Sequence, residues 1–137
     1  MGSTRRKARK TALQVLYELD CVGHPVDPIL ERLNQDQSLS EENISFVKEL
    51  IVGILNHLNE IDKCIQQYAP NFPVSQISII DRTILRIAIY EIVFQKQVTV
   101  QIAINEAVEL AKAFGSSNSP KFVNGVLGSV SSMMIQK

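Results

Sequence analysis

The sequence predicts an all-α fold of about seven helices in two small packed bundles, on three observations. Apolar residues recur at three- and four-residue spacing through nearly every long segment. Tryptophan is absent and glycine is sparse, and helix formers dominate. No segment alternates apolar and polar residues for long enough to make a convincing strand. With 137 residues, 45% apolar and 20% charged, the expectation is one domain spanning 1–137.

The first helix is expected from Thr4 or Arg5 to Cys21, ahead of Gly23 and Pro25. Ala8, Ala12, Val15, Leu16 and Leu19 form its core stripe. At 100° per residue, Arg6, Lys10, Leu13 and Tyr17 fall on the opposite side, so Leu13 and Tyr17 extend a basic stripe outward. A shorter helix is predicted from Pro25 to Gln35. Ser38 or Ser40 then caps a long apolar stripe running Ile44, Val47, Ile51, Ile54, Leu58, Ile61 and Ile65. This stripe fits one bent helix or two. Pro70 and Pro73 end it, and that stretch marks the seam between two helical halves.

Val74 to Ile79 reads as a helical turn. Ser78, with Asp81 three residues on, resembles a capping box and opens a helix to about Gln95 that turns Ile80, Ile84, Ile87, Ala88 and Ile92 inward. Val98 to Val100 is a β-branched connector. Ile102 to Phe114 is a helix with Ile104, Ala107, Val108 and Ala111 inside, stopped by Gly115. Ser116 to Ser119 is a polar loop. Ser119 and Pro120 suit the cap and first position of a last helix, with Val123, Val126, Leu127 and Val130 inward.

Net charge is zero, yet five of the fourteen basic residues (Arg5, Arg6, Lys7, Arg9, Lys10) lie in the first ten positions. The other 127 residues carry nine basic and fourteen acidic side chains, a net of −5. A basic end on a mildly acidic body attracts a polyanion locally. The cations sit at a helix start, where the helix dipole disfavours them. Arg82 and Arg86, one turn apart, repel unless an anion intervenes, with Asp81 or Glu91 as internal candidates. Phe114, Ser116, Asn118, Lys121 and Phe122 place two aromatics and a cation around a polar loop, a pattern able to stack an unpaired base. Each phenylalanine taken alone is better explained as core.

Nothing in the sequence supports catalysis. His24 and His57 are isolated and read as surface or boundary residues. Asn105, Glu106 and Glu109 share the polar face of one helix, where salt bridges explain them. No glycine-rich phosphate loop or HExxH motif occurs, so no cofactor or metal is expected. Two cysteines are too few for a disulfide framework, and the basic start lacks the apolar stretch of a secretory signal. With no apolar run of membrane-spanning length, the expected location is cytoplasmic.

Three segments together carry a family resemblance: RRKARKTALQVLY from Arg5, IDRTILRIAIYEI from Ile80 and INEAVELAKAFGSSNSPKFVNGVL from Ile104. They resemble the NusB transcription antitermination factors over nearly the whole chain, most weakly between Val22 and Asn43. The resemblance implies a non-catalytic protein that binds single-stranded boxA RNA together with NusE, a ribosomal small-subunit protein. It further implies a complex with NusA, NusG and RNA polymerase, notably on ribosomal RNA operons. By motif position it assigns Arg5, Arg6, Arg9 and the adjoining Lys10, with Arg86, Phe114, Ser116, Asn118, Lys121 and Phe122, to RNA. It assigns Tyr17 and Asp81 to the NusE surface, with Leu13 as an extension. Members occur as monomers or homodimers, and nothing here selects between them.

Two other readings are open to the same residues. One is the RNA-docking helical domain of a ribosomal RNA methyltransferase, against which the chain has no glycine-rich cofactor loop and ends at Lys137. The other is a protein-only adaptor whose basic end meets acidic partners, with salt-sensitive binding and no base preference.

Overall fold

Side-chain hydroxyls set three of the helix starts. Ser40 accepts from the Asn43 N–H at 3.1 Å, Ser78 from the Asp81 N–H at 3.2 Å and Thr99 from the Ile102 N–H at 3.2 Å. Each satisfies a donor that a helix N-terminus otherwise leaves bare. The computed structural model describes residues 2–136, with side chains described for 5–133. Its elements are α1 (Gly2–Val22), α2 (Val26–Leu33), α3 (Glu41–Asn56), α4 (Leu58–Tyr68), a 3₁₀ turn (Val74–Gln76), α5 (Ile79–Ile89), a π-helical turn (Tyr90–Gln95), α6 (Val100–Phe114) and α7 (Ser119–Gln136). Among the described residues there is no strand, and the all-α class stands.

Several boundaries depart from the periodicity. The long stripe is two helices, broken at His57, whose φ of −117° and ψ of 19° leave helical space. The His57 ring leans on Phe94, with centroids 4.3 Å apart, so this histidine is a packed boundary residue. The Thr99 cap starts α6 at Val100, two residues before the expected Ile102, which stays half-exposed. Ser119 caps nothing: its Oγ accepts from the Ser116 N–H at 2.9 Å and closes the loop, and α7 already begins there. The capping box at Ser78 is one-sided, because Asp81 Oδ1 finds no partner.

The π-helical turn had no counterpart in the periodicity. Its closing bond runs from the Lys96 N–H to the Glu91 carbonyl at 2.9 Å, and Lys96 ends it in left-handed conformation at φ 55°. Such insertions shift the register of the side chains that follow. Glu91 lies inside this turn with 1% exposure.

α1 packs on both α3 and α5, α5 also meets α4, α6 and α7, and α6 and α7 pair with each other. The change of packing partners comes at His57, since α4 lies against α5 and α7. The Pro70–Pro73 stretch forms the turn after α4. One apolar cluster runs through all of this, with Leu50, Ile51, Ile54, Ile61, Ile65, Ile84, Leu85 and Leu127 fully buried. Each such side chain contributes roughly 1.5–3 kcal/mol by leaving water. The phenol end of Tyr90 sits against Gly53, where a Cβ would overlap it, so the buried tyrosine favours glycine at this point of α3. No helix among the described residues is long and apolar enough to cross a membrane.

Two-sided packing corrects the reading of α1. Leu13 is 1% exposed and belongs to the core, because flanking by both α3 and α5 widens the buried arc beyond a one-sided amphipathic stripe. It cannot extend an outward face. Tyr17 does project, at 40% exposure.

Candidate nucleic-acid interface

The basic residues of α1 divide according to what faces them. Arg5 donates to Asn43 Oδ1 at 2.9 Å and its guanidinium sits 4.1 Å from the Phe46 ring centroid. Arg9 is 3% exposed and its guanidinium grips the Glu91 carboxylate with Nε at 3.0 Å and Nη2 at 2.8 Å. Glu106 lies 3.6 Å from Arg9 on the other side. Arg9 is therefore a buried structural cation, and the expectation of a solvent-facing contact at this position is corrected. The π-helical turn contains the carboxylate it needs.

Arg6 lies outside. Its Nε and Nη2 reach the two Glu106 oxygens at 3.1 and 2.7 Å, joining α1 to α6. The Arg6 hydrogen bond holds the Glu106 carboxyl below its ordinary range, opposed by partial burial and helped by the charges of Arg6 and Arg9. Of the three acidic-face residues of α6, Glu106 and Glu109 are salt-bridged, Glu109 to Lys112 at 3.0 Å. Lys7 and Lys10 are exposed and make no ion pair among the described residues. Lys10 Nζ lies 5.6 Å from the Phe114 ring centroid, at the end of α6.

Past Phe114 the chain turns tightly. The Gly115 N–H donates to the Ala111 carbonyl at 2.9 Å, and a Cβ on Gly115 would collide with the Ser119 side chain. The two serines, 116 and 119, lock the turn from inside, leaving Ser116, Ser117 and Asn118 exposed. Lys121 follows, exposed and without an ion pair among the described residues, then half-buried Phe122. Phe122 meets Phe72 edge-on, with ring centroids 5.9 Å apart at 89°. Phe72 has no periodic neighbour to mark it in the sequence. Its position between Pro70 and Pro73 in a polar turn was the available signal.

On one side of the Phe72–Phe122 pair lies a cavity of about 230 Å³ lined by Gln76, Ser78, Asp81 and Asn118. Asp81, expected at a partner surface, thus shares a cavity with Asn118 and Phe122, expected at RNA. Arg86 stands elsewhere. It lines a cavity with Leu16, Leu19, Leu55 and Leu58, and Nε and Nη2 bind Asp62 at 2.9 and 2.8 Å. Asp20 holds Arg82 at 2.8 Å and lies 3.6 Å from Arg86. The anion between these arginines is Asp20 of α1, with Asp62 of α4 on Arg86 alone, and neither Asp81 nor Glu91 takes that place.

The described surface thus offers unpaired lysines beside aromatic rings on α1, α6 and α7. Residues 6–132 match the NusB family. The transcription antitermination protein NusB of Dehalococcoides mccartyi (strain CBDB1) is 48% identical over 131 residues, covering 96% of this chain and 92% of the relative. Thermotoga maritima NusB superposes with a TM-score of 0.83 at 30% identity, covering 92% of this chain and 89% of that one. A crystal structure of the antitermination factors NusB and NusE in complex with dsRNA gives a TM-score of 0.83 at 26% identity, over 95% of this chain and 97% of that one. With sequence and fold agreeing over nearly the full length, this chain belongs to the NusB family.

Proposed function

We propose that this chain is a non-catalytic transcription antitermination factor that binds the single-stranded boxA element of nascent RNA together with NusE. It then helps assemble a complex with NusA, NusG and RNA polymerase, notably on ribosomal RNA operons. The observation that carries the RNA reading is the pairing of free cation and ring at both ends of the 115–118 loop. Lys10 stands beside Phe114, and Lys121 adjoins Phe122. Lysines supply the salt-dependent attraction to phosphates, and the rings offer faces to unstacked bases. The solved NusB–NusE–dsRNA assembly of a 26%-identical relative supports RNA and NusE as partners. Arg6, Ser116 and Asn118 border this surface. Tyr17 and Asp81 remain the residues assigned to NusE.

Titration of a fluorescent boxA-like RNA, with and without NusE and against a scrambled RNA, tests this. Tighter binding to the boxA-like sequence, enhanced by NusE, is expected. If about four phosphates are engaged, log K falls with log salt at a slope of roughly −3 for a single strand. Equal, weak binding to both RNAs, indifferent to NusE, would overturn the proposal and favour a protein-only adaptor.

A further inference from the structure

We infer that Phe72 is an additional RNA-binding residue, forming with Phe122 and Lys121 a receptor for one unpaired base and its phosphate. The inference rests on the RNA-binding reading above. At 49% exposure, Phe72 is the most exposed phenylalanine or tyrosine among the described residues. Single exposed apolar side chains are common and usually mean nothing. This one is held in place. Gln66 donates to the Phe72 carbonyl at 3.3 Å and accepts from the Val74 N–H at 3.2 Å, clamping the backbone on both sides. The Phe72 N–H donates to the Ala69 carbonyl at 3.2 Å. The ring is thus positioned before any ligand arrives, which lowers the ordering cost of binding.

The two faces of the Phe72–Phe122 pair differ in charge. On the Asp81 side, the carboxylate has no cation within ion-pair distance among the described residues and repels phosphate. On the other side is a cavity of about 270 Å³ lined by Tyr68, Asn71, Phe72, Lys121, Phe122 and Gly125. Among the described residues, Lys121 is the only charged side chain lining it. The space above Gly125 is open, with nothing within 4 Å of where a Cβ would stand. An aromatic wall with a single cation and no anion matches a base carrying its phosphate. An aliphatic protein side chain would use the wall and leave the lysine unanswered.

The chain contains no tryptophan, so Phe72→Trp places a sole indole reporter in the site. Binding of the boxA-like RNA is expected to quench that emission, and inorganic polyphosphate is not. Phe72→Ala should weaken RNA binding about tenfold, with Phe72→Trp retaining it. Gly125→Leu, which adds bulk on the α7 side of the cavity and leaves the Phe72 side chain in place, should also weaken it, with thermal unfolding confirming that each variant folds. RNA binding by the unmodified chain that Phe72→Ala and Gly125→Leu both leave intact would overturn the inference while the RNA reading stood. Quenching by NusE alone, with none by RNA, would assign this face to a protein partner and overturn it equally. No RNA binding by the unmodified chain would instead sink the RNA reading itself.

Discussion

Arg9 and Lys10 are adjacent in sequence and opposite in situation. Arg9 is sealed between α1, the π-helical turn and α6, with Glu91 in direct contact and Glu106 behind. Lys10, 100° further round the helix, reaches solvent beside Phe114. A basic cluster is therefore not one electrostatic object. Part of it is structural charge whose desolvation is offset by a fitted carboxylate, and part is free to meet a polyanion. The same division separates Arg86, neutralised by Asp62, from Lys121, which has no ion pair among the described residues.

Breaking the buried side has the largest effect. Arg9→Ala strands the Glu91 carboxylate in the core and should cost about 3–5 kcal/mol, read from urea unfolding. Replacing both partners with apolar residues of similar volume, Arg9→Met with Glu91→Leu, should recover most of that loss. A small effect from Arg9→Ala would mean that the pair is not sealed from water. Breaking the open side acts on RNA and leaves the fold alone. Lys10→Ala and Lys121→Ala should each reduce the magnitude of the salt slope by about 0.7 without shifting the melting temperature. An unchanged slope in either variant would remove that lysine from the phosphate path.

The Arg6–Glu106 pair lies between the two extremes, and pH sharpens its place. Because Arg6 depresses the Glu106 carboxyl, their contribution to stability is full above the ordinary glutamate value of about 4.3. It fades as the pH falls below that value, since acid protonates the carboxylate more readily in the unfolded chain. Thermal unfolding of Glu106→Gln should therefore show a shallower acid decline than the unmodified chain. Identical acid limbs would show that Glu106 carries no folding-linked proton.

Much of the helical framework was readable in advance. The stripe from Val47 to Ile65, the Ser40 and Ser78 caps and the Pro70–Pro73 stop follow from helical period and local hydrogen bonding, which act within a few residues. Even there, Thr99 was hidden by its β-branched neighbours, and the break at His57 was undetermined because apolar spacing continues across it. The Phe114–Phe122 loop was recognisable as a group for the same local reason. Arg9, Leu13 and Arg86 were not, since their surroundings come from Glu91, from α3 and α5, and from Asp62.

By itself, the sequence determined the all-α class, most helix limits, the core stripes and membership of the NusB family. Those properties depend on spacing along one chain segment and on motif identity. Only the tertiary structure decided which cations are spent inside and which remain available, and that Phe72 meets Phe122 across the turn after α4. Charge and aromaticity do not encode their own neighbours: a guanidinium reads the same in sequence whether a carboxylate or water faces it. Its role is set by helices that arrive from 80 or more positions away, as Glu91 does for Arg9.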